Sequence, residues 1–153
     1  METITTYPYV YIAGPFFNSA QIEIVEQIKI LLRGQDLQFF SPKDECLYDP
    51  ETTTPEEILA QNIEALSRTD LAIVITDGKD PGTLFEAGYC YAKGIPVIYH
   101  WHDPIPGQNF NLVLAASGSV SLNLQHIVNQ IVDIKQNGVF VRKNWSEQPM
   151  TYE

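Results

Sequence analysis

Five consecutive apolar residues, Leu71-Ala72-Ile73-Val74-Ile75, interrupt a chain that otherwise alternates polar and apolar positions. A strand with no polar alternation is covered on both faces, as in a parallel sheet sandwiched between helices. The flanking segments fit that demand. Tyr9-Val10-Tyr11-Ile12-Ala13 reads as a first strand that ends at Gly14-Pro15, and residues 37–40 as a second. Residues 95–99 form another apolar run, and a short strand is expected near Val120. Between them lie helical patterns. Asn18 with Gln21 three residues on suggests a capping box, followed by Ile24, Ile28, Leu31 and Leu32 at helical spacing and Gly34 as a stop. Thr54-Pro55-Glu56-Glu57 is a strong helix start. Leu124, Ile127, Val128, Ile131 and Ile134 mark the last helix, ending near Gly138. The expected fold is α/β: a doubly wound, flavodoxin-like parallel sheet of about five strands with helices on both faces, in one domain over residues 1–153.

The totals narrow the function classes. At 153 residues, with 44% hydrophobic and 18% charged, the chain can bury a core without disulfides or metal. Its net charge of −10 argues against a nucleic-acid partner, because phosphate binding needs clustered Lys and Arg. No run approaches a membrane span, and the opening residues lack the basic-then-apolar layout of a secretory signal. Two cysteines, Cys46 and Cys90, are too few for a disulfide framework, so a reducing cytoplasm is expected. Residues 15–20 lack the spacing of a P-loop or dinucleotide fingerprint, which predicts no ATP or NAD and no cofactor. His100 and His102 share a strand face, but no Cys or acid joins them at a ligand spacing, so no metal is expected.

The chemistry concentrates in Asp80-Pro81-Gly82-Thr83-Leu84-Phe85-Glu86-Ala87-Gly88, which follows the apolar strand and opens a helix. Ligands of open α/β sheets bind at the carboxyl ends of strands. A carboxylate in a helix's first turn sits among unpaired N–H groups and is readily kept ionised, which would suit an anionic nucleophile. Thr83-x-x-Glu86 also fits a capping box, in which Glu86 merely reaches back to the helix start. Asp80 on the same rim, and Gly82 permitting close approach of a substrate, balance that reading. Asn62 falls on a predicted helix with Leu59, Ile63 and Leu66 and interrupts its inward apolar stripe. It reads equally as a core amide or as a hydrogen-bonding group for a heterocyclic base. Tyr11, Phe16 and Phe17 stand at the end of the first strand, where aromatics usually fill core but can also wall a planar ligand.

These residues resemble the nucleoside 2-deoxyribosyltransferase family. The likeness lies in Tyr11-Ile12-Ala13-Gly14-Pro15-Phe16-Phe17-Asn18, Phe40-Ser41-Pro42, residues 70–94 with Asp80-x-Gly82-Thr83-x-x-Glu86-x-Gly88, and Asn111-Leu112. It covers about residues 9–118. The resemblance implies exchange of free bases on 2′-deoxynucleosides by a retaining double displacement, with Glu86 as nucleophile and a covalent deoxyribosyl intermediate. It implies that Asp80 contacts substrate near the sugar and base, and that Tyr11 orients the nucleophile. Asn111 would reach a sugar hydroxyl in a neighbouring subunit's site, which implies a homo-oligomer built from dimers. Two positions depart from the pattern. Asn62 stands where relatives carry an Asp that handles the base, and Cys46 where they often have a base-binding Gln. Two other functions fit the same fold: an N-glycosidase acting on 2′-deoxynucleoside 5′-monophosphates, or a non-catalytic nucleotide-sensing module. The loop 14–19 has no Arg for a phosphate, and Ser117-Gly118-Ser119 has no basic neighbour in sequence.

Overall fold

A computed structural model describes residues 2–146 and 150–152. In chain order the elements are β1 (Glu2–Thr3), β2 (Val10–Ala13), α1 (Ser19–Gly34), β3 (Phe39–Phe40), α2 (Pro42–Glu45), α3 (Pro55–Ser67) and β4 (Leu71–Ile75). They continue with α4 (Pro81–Ala92), β5 (Val97–His100), β6 (Phe110–Asn111), α5 (Leu112–Ser117), β7 (Ser119–Ser121), α6 (Leu124–Asn137), β8 (Val139–Phe140) and β9 (Met150–Thr151).

The central sheet has five parallel strands in the order β3-β2-β4-β5-β7. Counted along the chain, that is the 2-1-3-4-5 order of flavodoxin-like folds, with its switch point between β2 and β4. Every residue of β2, β4, β5 and β7 is buried. Alternate side chains enter two separate cores. Val10, Ile12, Leu71, Ile73, Ile75 and Ile98 pack against α1 and α6. Tyr11, Ala13, Ala72, Val74, Val97 and Tyr99 pack against residues of α3, α4 and α5. The uninterrupted apolar run of β4 thus reflects burial on both faces, as its pattern predicts.

Helix ends follow the local chemistry, with two differences. Thr54 and Glu57 form the reciprocal capping box at 3.2 Å in each direction. Asn18 caps α1 by accepting from Gln21 N at 2.9 Å, but Gln21 Oε1 accepts from Phe17 N rather than from Asn18 N. The box therefore closes one residue early. Gly34 is the last residue of α1 rather than its stop, and the left-handed turn falls on Asp36 at φ 58°. Asp tolerates that conformation better than most residues. Gly138 does end α6 in the left-handed form, its N–H donating to Ile134 O at 2.8 Å. Two small pairings, β1 with β8 and β6 with β9, had no sequence signal, since two-residue strands carry no periodicity.

The segment between β3 and α3 is pinned from both sides. Lys29, buried on the inner face of α1, donates to Glu26 at 2.8 Å and also to Asp44 of α2. On the other side Leu47 N donates to Gln61 Oε1 at 2.9 Å, and Gln61 Nε2 donates to Leu47 O at 3.2 Å. Cys46 lies between these anchors.

The join between α5 and β7 leaves no room for a side chain. A Cβ on Gly118 would sit 2.5 Å from Val97 O and 2.8 Å from the Tyr99 ring, although its φ of −172° suits any residue. Gly118→Ala should therefore destabilise the protein by about 1–3 kcal/mol through overpacking. The check is a lower urea midpoint with an unchanged m-value.

Candidate active site

Helix α4 begins three residues earlier than a Thr83 cap would require. Asp80 is its N-cap, in extended conformation, and Pro81 takes the first helical position. Asp80 Oδ2 accepts from Thr83 N at 2.9 Å and from Thr83 Oγ1 at 2.8 Å. The Thr83 hydroxyl is thus engaged by Asp80, and Thr83-x-x-Glu86 is not a capping box. The Asp-Pro pair was the sequence signal for this start. The anion held among the first-turn N–H groups is consequently Asp80, and Glu86 falls in the second turn with a different environment.

That environment is dry. Tyr11 on β2 is 0% exposed, and its hydroxyl and Glu86 Oε2 are both sealed from solvent without a partner in full hydrogen-bond geometry. Burial raises the Glu86 carboxyl to about 7; the nearby Tyr11 hydroxyl pulls it back in part, and the charge of Asp80 adds to the rise. The effect is mutual, since burial and then Glu86 push the Tyr11 phenol far above its ordinary range. Burial, Glu86 and Glu45 raise the Cys46 thiol. Burial and Glu86 lift the Cys90 thiol to about 12. Cys90 lies four residues after Glu86, so the two share a helix face, a spacing visible in the sequence but not used. Two opposed buried polar groups with no partner cost roughly 1–3 kcal/mol each and mark a place where a ligand or a reaction, rather than stability, sets the chemistry. None of the groups acting on Tyr11, Cys46, Glu86 or Cys90 is a Lys or Arg.

Cys46 and Asn62, sixteen residues apart, meet: Cys46 Sγ donates to Asn62 Oδ1 at 2.9 Å. Asn62 is half-buried, and Leu59, expected on the inward stripe with it, is 48% exposed. The helix is rotated so that Ala65 and Leu66 carry the contact with the sheet. Asn62, three and four positions before Ala65 and Leu66, lies at the margin of that contact and is not a fully buried core amide. Tyr11 stacks on Phe40 with ring centroids 5.4 Å apart, whereas Phe16 and Phe17 stack on each other at 5.5 Å. Phe17 is 75% exposed, so this pair is not core. Gly82 is also exposed, and a Cβ there would meet only Asp80 Oδ2, at 3.4 Å. Packing within the chain does not require glycine at that position.

Asn111 caps α5, its Oδ1 accepting from Val113 N at 2.9 Å and Leu114 N at 3.1 Å, while Nδ2 donates to Tyr152 O at 3.1 Å. It borders a cavity of about 1030 Å³ shared with Asn18, Asp77, Lys79, Trp101 and Gln108, whose lining does not include Tyr11, Asp80 or Glu86. Asp77, which the sequence did not single out, ties the loops after β4 and β5 by accepting from His102 N at 2.8 Å and Asp103 N at 2.9 Å. His100 and His102 bond to each other at 2.9 Å, and His100 Nδ1 meets Ser121 Oγ at 3.1 Å. Among the described residues no cluster of three or more His, Cys, Asp or Glu is arranged to hold a metal. Among the described residues no helix is long and apolar enough to cross a membrane. In the C-terminal tail Trp145 stacks on His126 at 4.8 Å, and residues 147–149 and 153 lie outside the described residues.

Comparison with solved structures places this architecture among known ones. A 2-deoxyribosyltransferase from Bacillus psychrosaccharolyticus matches with TM-score 0.67 and 27% identity, over 79% of this chain and 90% of that one. A conserved protein from Enterococcus faecalis V583 matches with TM-score 0.71 and 19% identity, over 85% and 98% of the two chains. A CMP N-glycosidase from Clostridium botulinum gives 0.58 and 14%, over 81% and 97%. The last two likenesses are of fold alone. Comparison with curated proteins gave no match. The family model for nucleoside 2-deoxyribosyltransferases matches residues 10–117, a span that takes in β2, the Cys46–Asn62 contact, the capped start of α4 with Glu86, and Asn111. The chain therefore belongs to the nucleoside 2-deoxyribosyltransferase family, whose members are enzymes that act on nucleosides and nucleobases.

Proposed function

We propose that this protein exchanges nucleobases on 2′-deoxynucleosides through a covalent deoxyribosyl–Glu86 intermediate. The observation that carries the reading is the Glu86 carboxylate, buried beside Tyr11 with no partner for Oε2 and not engaged in helix capping. A Glu86 oxygen attacks C1′, the C1′–N bond breaks, and its electron pair leaves with the base. The departed base anion takes up a proton; the incoming base loses its N–H proton as that nitrogen attacks C1′ and releases the carboxylate, so the exchange as a whole is proton-neutral. Two inversions give retention, and desolvation favours spreading the negative charge of Glu86 onto an oxocarbenium-like centre. Water in place of the second base gives slow hydrolysis.

The other roles follow from position. Asp80, fixed by its cap, contacts the substrate near the sugar and base, and Tyr11 holds the nucleophile's orientation. Exposed Phe16 and Phe17 offer a flat wall, and Gly82 leaves the helix start open to the ligand. Asn111 serves the site of a neighbouring copy, so the working unit is a homo-oligomer. The purely acidic, phenolic and thiol surroundings of Glu86 suit an unphosphorylated nucleoside better than a 5′-monophosphate.

Incubation with deoxyinosine and free adenine should yield deoxyadenosine and hypoxanthine by chromatography; cleavage without exchange would make the protein a hydrolase, and no turnover a sensor. Glu86→Ala should lower exchange at least about 10³-fold in a folded protein, and mass spectrometry of the wild type should find a deoxyribosyl adduct on Glu86. Near-normal exchange by that variant would remove Glu86 from the chemistry. Because the nucleophile must be ionised, kcat/KM should rise with pH through about 7. Asp80→Asn retains a capping side chain but deletes the neighbouring charge, so the same limb should move to lower pH.

Stability should show the opposite dependence. The Glu86 carboxyl titrates higher folded than unfolded, so its contribution is fully present below about 4.5 and is lost as pH rises through about 7. Relative to wild type, Glu86→Gln should therefore gain stability across that window, by up to about 3 kcal/mol, in urea melts at several pH values.

A further inference from the structure

Cys46 and Asn62 form a unit that the family chemistry does not account for. An amide side chain can present its oxygen or its NH₂ at nearly the same place, because the two ends are close to isosteric. What the amide offers a ligand is decided by what holds its other end. Here Cys46 Sγ–H donates to Asn62 Oδ1 at 2.9 Å. No described residue accepts a bond from Asn62 Nδ2, and Asn62 is half-buried rather than sealed. A thiolate would reverse the arrangement, since it can only accept. Burial and the negative charges of Glu86 and Glu45 keep the Cys46 proton in place, so at neutral pH the thiol is a donor. The pair is also held in register independently, by the reciprocal Leu47–Gln61 bonds one residue away in each segment.

We propose that Cys46 is a positioning residue that locks the Asn62 amide with its NH₂ toward the ligand, so that the site reads a hydrogen-bond acceptor on the nucleobase. The matching group is an unprotonated ring nitrogen or an exocyclic carbonyl oxygen. The inference rests on the base-exchange reading for the identity of the ligand. It also has a chemical consequence for departure of the base. As the C1′–N bond breaks, electron density builds on the heterocycle, and a fixed N–H donor strengthens its bond to an acceptor on that ring without transferring a proton. An Asn locked in this way stabilises a leaving base by hydrogen bonding, where a carboxylic acid would do so by protonation.

The test is a double-substitution cycle read by binding, so it does not depend on turnover. Adenine, hypoxanthine, guanine, cytosine, thymine and uracil are titrated against the wild-type protein by calorimetry, and the tightest binder becomes the probe. Cys46→Ala should weaken that base about five- to tenfold, the scale of one neutral hydrogen bond, and Cys46→Ser should recover most of the loss. Asn62→Ala should lose a similar factor, with Cys46→Ala adding nothing further on that background. Gln61→Ala, which cuts the loop's other tie to α3, should stay within twofold of wild type if affinity follows the amide lock rather than loop order. The inference is overturned if Cys46→Ala binds as wild type, if the two losses multiply, if Ser fails to substitute for Cys, if Gln61→Ala loses as much, or if no base binds at millimolar concentration. Exchange measured separately on the wild type keeps the two readings apart. Exchange without coupling removes the lock alone, and coupling without exchange removes the transferase reading alone.

Discussion

Burial of the sheet on both faces is the constraint from which the rest follows, because each strand must supply side chains to two cores. The two cores are unlike. Toward α1 and α6 the strands present Val10, Ile12, Leu71, Ile73, Ile75 and Ile98, a branched aliphatic layer that fills its space. Toward α3, α4 and α5 they present Ala13, Ala72 and Val74 beside Tyr11 and Tyr99, and the helices answer with Ala65, Ala87, Cys90 and Ala115. Small residues and ring tips leave polar atoms near the carboxyl edge of that face. The aliphatic face supplies packing, and the other face carries the phenols of Tyr11 and Tyr99.

Glu86 belongs to that second face. A carboxylate oxygen sealed from solvent costs free energy, and the cost appears here as a carboxyl raised to about 7. The helix that carries it is stabilised elsewhere, by Asp80 at its N-cap and Pro81 at its first position. Separating the cap from the buried carboxylate leaves Glu86 free of structural duty. Both acids lie in one nine-residue motif, yet one caps a helix end and the other has a carboxylate oxygen sealed from solvent, a division of roles by environment.

Much of this was legible in the sequence because it is local. Caps at Asn18 and Thr54, the apolar run of β4 and the helical stripe of α6 depend on residues within about four positions of each other, and periodicity reports them directly. The errors arose where two local partners competed. Thr83 was free to cap for Glu86 or to bond with Asp80, and Gly34 and Asp36 were both able to make the turn after α1. Strand pairings two residues long escaped notice for want of any period. Leu59 was expected on the inward stripe of α3 but is exposed, because Ala65 and Leu66 set the helix's contact with the sheet.

By itself the sequence determined the layered α/β architecture, the strand that ends at the site, and the motif holding Asp80 and Glu86, because each follows from hydrophobic period and helix-end chemistry. Only the tertiary structure decided which carboxylate caps α4, that Glu86 faces Tyr11 without a partner, and that Cys46 holds the Asn62 amide across sixteen residues. It also decided that Asn111 caps α5 and borders a cavity of about 1030 Å³. The physical reason is common to all four. Local signals state what a side chain is able to bond, whereas packing of distant elements decides which bond it makes and which group is left dry.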